Sequence, residues 1–155
     1  MMRWAWMGLM IGLFLHSSVG EARPLRGAIQ VGAFGVVEVV KTRLAPGQST
    51  VGIIRVFAAG SGVRFMGRDG LLIDGIVSQA GMECTVTSIE LVCTATADDG
   101  YVVVRLRPSL SARTEQWWDG SITQTSSDLN SPRDTLNQII HVAWFRQYLP
   151  RLHRS

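Results

Sequence analysis

Short runs of alternating apolar and polar residues recur along the chain, and residues that favour turns separate them. The clearest run is 101–107, in which Val102, Val104 and Leu106 share one side of an extended strand and Pro108 ends it. No segment after residue 22 shows convincing helical periodicity. Many short strands divided by turns are typical of an antiparallel β-sandwich, so we predict an all-β fold.

The predicted strands are 28–34, 36–41, 50–58, 63–66, 71–77, a hairpin at the two cysteines, 101–107, 120–125 and 137–145. The predicted turns are Pro46-Gly47, Gly60-Ser61-Gly62, Arg68-Asp69-Gly70, Asp98-Asp99-Gly100 and Asp119-Gly120. In the last strand, two alternating sets of side chains are candidates for the core: Ile140, Val142 and Trp144, or Ile139, Ala143 and Phe145 with His141 beside them. Both sets are apolar enough to suit a central strand or one covered by a partner.

Cys84 and Cys93 are the only cysteines, and their spacing suits a disulfide across a β-hairpin. Pairing them leaves Ser88 and Ile89 as a two-residue turn. These two residues are poor for the primed turns that close such hairpins, so a longer loop is the alternative. This register places on one face the apolar set Cys84, Val86, Leu91, Cys93 and Ala95.

The N-terminus has the three parts of a secretory signal peptide. Arg3 precedes an apolar run at 4–15, and small residues lead to cleavage after Gly20 or Ala22. The run is shorter than the roughly 20 residues of a membrane span, and the absence of a nearby cysteine excludes a bacterial lipid anchor. We therefore predict a signal peptide at 1–22, one sandwich domain at 23–145 and a basic aromatic tail at 146–155.

Export to an oxidising compartment favours a Cys84–Cys93 disulfide. In a cytosolic chain the same two cysteines would instead be expected as free, buried thiols. The predicted location is the periplasm or the medium. The formal net charge is +3, spread along the chain, which is not the pattern of a nucleic-acid-binding protein.

Residues able to carry catalysis or bind a metal do not cluster in the sequence. After the signal peptide the only histidines are His141 and His153, and neither has metal-ligand spacing. His141 is expected to be a partly buried strand residue. Asp128, Asn130 and Asp134 suit turn formation better than a calcium loop, whose glycine and final glutamate are missing. We expect no enzyme activity, no metal and no cofactor.

Two aromatic segments are candidates for contact with a partner. Trp117 and Trp118 are adjacent, so in a strand one enters the core while the other stays near solvent, unless both cover the sandwich edge. The second segment contains Trp144, Phe145, Arg146 and Tyr148. Its mixture of aromatic and basic side chains could bind a protein or an anionic envelope surface. The alternative is that it forms the frayed end of the last strand.

The second half of the chain resembles the conserved-repeat domains of bacterial surface proteins, known as domain of unknown function number eleven. The resemblance follows the cysteine pair, the acidic turn ending at Gly100, the strand VVVRLRP and the loop SSDLNSPRDTLNQ, in which Asp128, Asn130 and Pro132 fit the family pattern. Leu129 stands where the family often has proline, and the Asn-Asn pair is absent. The resemblance implies an immunoglobulin-like sandwich at a cell surface and implies no catalytic residues.

The sequence therefore predicts an exported, non-catalytic, immunoglobulin-like β-sandwich that binds a protein partner or has a structural role in a bacterial envelope. One alternative is association with the membrane or cell wall through the tail. Another is a small secreted enzyme or inhibitor without a recognisable motif. The oligomeric state is open.

Overall fold

The protein is all-β in the computed structural model, which describes residues 27–45, 47–110, 114–124 and 132–142. Its strands are β1 (Ala28–Val31), β2 (Gly35–Val39), β3 (Arg43–Leu44), β4 (Thr50–Val56), β5 (Gly62–Arg68), β6 (Leu71–Ala80), β7 (Met82–Val86), β8 (Glu90–Ala95), β9 (Tyr101–Pro108), β10 (Glu115–Thr123) and β11 (Arg133–Val142).

The strands form two sheets. Sheet A has the order β1-β2-β4-β9-β6, and sheet B has the order β3-β11-β10-β5-β8-β7. Neighbouring strands are antiparallel except for the two-residue strand β3, which runs parallel to the end of β11. The inward side chains of both sheets form one apolar core. The predicted class, an all-β antiparallel sandwich with one hairpin disulfide, is confirmed.

Alternation along each strand decides which side chains enter this core. On β9, Val102, Val104 and Leu106 are fully buried, as their spacing predicts. On β11, Ile140 and Val142 point inward, which resolves the choice between its two candidate faces over the described part of the strand.

The cysteine hairpin has the predicted register. Cys84 pairs with Cys93, and their Cα atoms lie 4.1 Å apart in the disulfide. The backbone amide of Thr87 donates to the carbonyl of Glu90 at 2.8 Å, so the turn does consist of two residues. It forms without positive φ at Ser88 or Ile89. The Thr87 hydroxyl instead accepts the amide of Glu90 at 3.0 Å, which satisfies the turn by a side-chain bond.

The prediction of a turn at Asp119-Gly120 is wrong, because β10 runs straight through both residues. Gly120 lies opposite Phe65 of β5 in the sheet. A Cβ atom at Gly120 would meet the Phe65 ring at Cγ and Cδ2, so glycine is needed here for close packing against the ring. Because β10 spans Glu115–Thr123 without a turn, Trp117 and Trp118 both lie inside this strand.

Trp118 is the largest fully buried side chain among the residues that the structure describes. It extends from sheet B across the core to Gly52 of sheet A, where a Cβ atom would meet Cζ3 and Cη2 of the indole. Its ring centroid lies 5.0 Å from that of Phe65, with the rings tilted by 51°. The missing side chain at Gly52 therefore leaves the space that the indole occupies.

Candidate functional site

The outer face of sheet B carries a shallow depression across β5, β10 and β11. We call it the arginine–tryptophan face and define it by Arg64, Arg68, Trp117, Asp119 and Arg133. The depression encloses about 720 Å³ and is also lined by Met66, Gly120, Ser121, Thr135, Leu136 and Asn137. It is open to solvent, and its lining is more polar than that of a typical small-molecule pocket.

Trp117 lies on β10 between a residue of β5 and a residue of β11. It is paired with Arg68 of β5 on one side and with Ile139 of β11 on the other. Because Trp118 takes the inward position, Trp117 has to face outward, where it is half-buried. The indole therefore offers an apolar surface beside a guanidinium, a combination enriched at the centres of protein interfaces.

Two of the arginines are held by carboxylates on the same face. Arg68 Nε lies 2.8 Å from Asp119 Oδ2, and Arg64 Nε lies 2.6 Å from Glu90 Oε1. Both arginine side chains are more than half exposed, so these pairs contribute little to folding stability. They do hold each guanidinium over the sheet, and its other N–H groups can donate to a ligand.

The charge of the depression favours an anionic ligand. Its lining includes the three arginines Arg64, Arg68 and Arg133. The carboxylates beside them are those of Asp119 and of Glu90, the partner of Arg64, so these five groups together leave one surplus positive charge. Arginine presents a planar fork of donors that matches a carboxylate, so the face can recognise acidic side chains with defined geometry.

Trp118, predicted as a partner contact together with Trp117, is fully buried and has no surface to offer in this structure. The reason is the inward phase of even-numbered residues on β10. Partner contact at Trp117 remains a prediction. Trp144, Phe145, Arg146 and Tyr148 lie outside the described residues, as does the signal peptide at 1–22.

His141 lies in β11, as predicted for a strand residue, and its side chain is about half exposed. Its Nδ1 lies 3.8 Å from Glu115 Oε1, across from it on β10. The odd-numbered residues of β11 point outward, which accounts for the exposure.

Asp134 stabilises a turn, as expected, but the turn is the one between β1 and β2 and not its own. Its carboxylate accepts the backbone amides of Ala33 at 3.0 Å and Phe34 at 2.6 Å, at the turn between β1 and β2. The proposed calcium partners Asp128 and Asn130 lie outside the described residues. Within the ranges that the structure does describe, no group of three or more histidine, cysteine, aspartate or glutamate residues is placed to hold a metal.

Sequence reasoning missed the arginines of the face. The alternation of Arg64, Met66 and Arg68 was readable as one polar side of a strand. The pairing of β5 with β10, which brings these residues to Trp117, joins segments about fifty residues apart, and no local signal specifies it.

No family model matches the chain, and no curated protein matches it. Among solved structures, the collagen-binding domain from a Staphylococcus aureus adhesin has a TM-score of 0.48 at 7% identity, covering 72% of this chain and 99% of that domain. A non-cellulosomal cohesin from the hyperthermophilic archaeon Archaeoglobus fulgidus has a TM-score of 0.46 at 15% identity, covering 68% of this chain and 89% of the cohesin. The resemblance to the conserved-repeat domains stays a prediction.

No helix long and apolar enough to cross a membrane occurs in the described ranges.

Proposed function

We propose that this chain is an exported, non-catalytic binding domain of a bacterial envelope, and that it recognises an acidic segment of a protein partner through the arginine–tryptophan face. The observation that carries the proposal is the outward, half-buried Trp117 beside Arg68 on a face with three arginines and a depression. An indole and a guanidinium side by side recognise an apolar group next to a carboxylate.

The rigidity of the site supports a binding role. Trp117 and Asp119 lie within β10, which is paired on both sides, and the arginines at 64 and 68 lie within β5. Side chains held on paired strands lose less conformational freedom on binding than side chains on loops, so more of the contact energy appears as affinity.

The Cys84–Cys93 disulfide supports the location. Such bonds persist in oxidising compartments, which agrees with the predicted signal peptide and with a periplasmic or secreted protein. Mass-labelling of the protein purified from the periplasm or the medium tests this. Two free thiols under denaturing conditions would contradict it.

The binding test compares Trp117→Ala and Arg68→Glu with Val92→Ala. Val92 is an exposed apolar residue on the outward phase of β8, outside the depression, which makes it a matched truncation control. Immobilised wild type and variants are incubated with envelope proteins of the source cells, and bound proteins are identified by quantitative mass spectrometry. A specific partner is then purified for titration.

We expect the two site variants to weaken binding by at least about 30-fold, the effect of removing an interface hot spot, and Val92→Ala to leave it unchanged. Circular dichroism and thermal melts confirm that each variant is folded. A partner that binds the Trp117→Ala and Arg68→Glu proteins as tightly as the wild type would refute the proposed face.

A further inference from the structure

The arginine–tryptophan face is built of rows of outward side chains that cross β5, β10 and β11. The tryptophan row is Arg68, Trp117 and Ile139, the carboxylate row is Met66, Asp119 and Asn137, and the serine row is Arg64, Ser121 and Thr135. Outward side chains are two residues apart along a strand, so neighbouring rows are about 6.6–6.8 Å apart. A ligand that lies along β10 meets the three rows in this order.

The middle row holds the negative charge of the face. Asp119 belongs to it, and Glu90 of β8 extends it, because Glu90 is paired with Met66 in the sheet. Each carboxylate contacts an arginine of a neighbouring row: Asp119 contacts Arg68, and Glu90 contacts Arg64. Two positive and two negative charges are therefore already paired.

The surplus positive charge is on Arg133. This residue is exposed and lies opposite Thr123, one row beyond the serine row. Among the residues that the structure describes, no carboxylate lies within ion-pair distance of its guanidinium. The neighbouring carboxylate of Asp134 is bonded to the turn between β1 and β2. Glu83 is in the same row as Arg133 but lies on β7, four strands or about 19 Å away.

The other charged groups on this side of the molecule lie beyond these rows. Glu115, His141 and Arg43 form a row past the tryptophan row, and Asp69 follows β5 on that side. The carboxylates of residues 98–99 lie in the turn after β8, three strands from β11. In the described part of the face, the uncompensated cation is therefore at the end opposite to the indole.

We infer that the partner's segment binds in an extended form along β10, with an apolar residue over Trp117 and an acidic residue four positions away, between Arg64 and Arg133. This inference rests on the proposed function and adds a second anionic position to the carboxylate beside the indole. Four residues of an extended chain span about 13 Å, which is the distance from the tryptophan row to the serine row. The hydroxyls of Ser121 and Thr135 lie between the two arginines and can donate to the same carboxylate.

The carboxylate row selects against an acidic residue in the middle of the segment. The residue two positions from the apolar one points to the same side and meets Asp119, with Met66 and Asn137 beside it. Asp119 repels an acidic side chain there, because like charges across an interface cost affinity. Residues at odd spacings point away from the sheet. The face therefore recognises the spacing of the acidic residue as well as its charge.

Synthetic nine-residue peptides of a single composition test this spacing. Each has a Gly-Ser background, one adjacent Leu and Glu, and a further Glu placed two, three, four or five positions from the Leu, in both chain directions. Because the net charge is the same in all peptides, differences in Kd report the spacing alone. Calorimetric titration of the mature chain at low salt is expected to give the four-position peptide a Kd at least about fivefold lower than the others.

Arg133→Gln is the site variant, and Arg43→Gln is the matched control. Arg43 is also an exposed arginine on sheet B, and it lies on β3, outside the depression. Arg133→Gln is expected to raise the Kd of the four-position peptide to that of the two-position peptide. Arg43→Gln removes the same charge and keeps the preference for four positions. Both arginines are exposed, so we expect both variants to fold, and circular dichroism checks this.

Equal binding at all spacings, or a four-position preference that Arg133→Gln retains, overturns the inference. A series in which no peptide binds with a Kd below about 1 mM also overturns it, as does an oligogalacturonate that binds more tightly than every peptide. The proposed face survives these outcomes if Trp117→Ala and Arg68→Glu still weaken capture of the partner. Peptide binding that Trp117→Ala leaves unchanged refutes the proposed face itself.

Discussion

Replacing Gly52 by alanine tests how tightly the core holds Trp118. A Cβ at residue 52 would clash with Cζ3 and Cη2 of the indole and would lie 3.0 Å from Leu106 Cδ1. Trp118 and Leu106 are both fully buried, so neither can move toward solvent. The added methyl group therefore overpacks the core, whose density leaves no room for it.

The magnitude follows from two opposing effects. Gly52 has no positive φ, so alanine fits its backbone and stabilises the strand by about 0.5–1 kcal/mol through the unfolded state. Overpacking of a buried site costs about 1–3 kcal/mol, and two contacts well under 3.0 Å place this site in the upper half of that range. We expect a net loss of about 1–2 kcal/mol, or a fall in Tm of about 3–10 °C.

A double-mutant cycle with Trp118→Phe isolates the contact, because phenylalanine lacks the outer ring atoms that the new methyl group meets. In that background Gly52→Ala is expected to be neutral or stabilising, which gives a coupling energy of about 1–3 kcal/mol. The free energy of unfolding is measured by urea denaturation for all four proteins. Gly62→Ala is the control, since its Cβ meets only the Thr123 hydroxyl closely, at 2.9 Å. An equal loss in both backgrounds, or no loss in the wild type, would refute the packing described for Trp118.

Three further substitutions test local features. Replacing Cys84 and Cys93 by alanine, which opens a loop with a sequence separation of 9, is expected to lower the free energy of unfolding by about 2.5–3 kcal/mol; equal urea midpoints for the wild type with and without reductant would contradict this. Thr87→Val keeps the shape of the side chain but removes the acceptor of the hairpin turn, so a loss of about 1 kcal/mol is expected, and an unchanged thermal midpoint would argue against the turn bond. Asp134→Ala removes the acceptor of two backbone amides between β1 and β2, so the free energy of unfolding is expected to fall by about 1–3 kcal/mol. Hydrogen exchange of these amides checks this: faster exchange in the variant than in the wild type would support it, and identical exchange would count against it.

The cysteine hairpin shows how much a local pattern contains. Two strands joined by a two-residue turn can pair in few registers, and the observed one places Cys84, Val86, Leu91, Cys93 and Ala95 on one face, with Val92 as the apolar residue on the other. The sequence was less informative about the turn itself, because Ser88 and Ile89 do not suit a primed turn. In the structure the hydroxyl of Thr87 accepts the backbone amide of Glu90 and so stabilises the turn by a side-chain hydrogen bond.

Asp119-Gly120 shows the opposite case. The pair has the composition of a turn, yet it lies in the middle of β10 because Gly120 makes room for Phe65 of the neighbouring strand. That neighbour is about 55 positions away along the chain. A glycine required by a distant side chain cannot be told from a turn glycine by its local sequence.

Periodicity was enough to predict the all-β class and most of the strands, because side-chain alternation is a local property. The hairpin disulfide was predicted from the spacing of Cys84 and Cys93 together with the predicted export. Periodicity also predicted that one of Trp117 and Trp118 is buried and the other faces outward. Tertiary structure decided which one, through the space at Gly52, and it brought Arg68, Trp117 and Ile139 together from three strands. The physical reason is that alternation defines two sides of a strand, whereas the identity of its neighbours and of the side facing the core depends on pairing between distant segments.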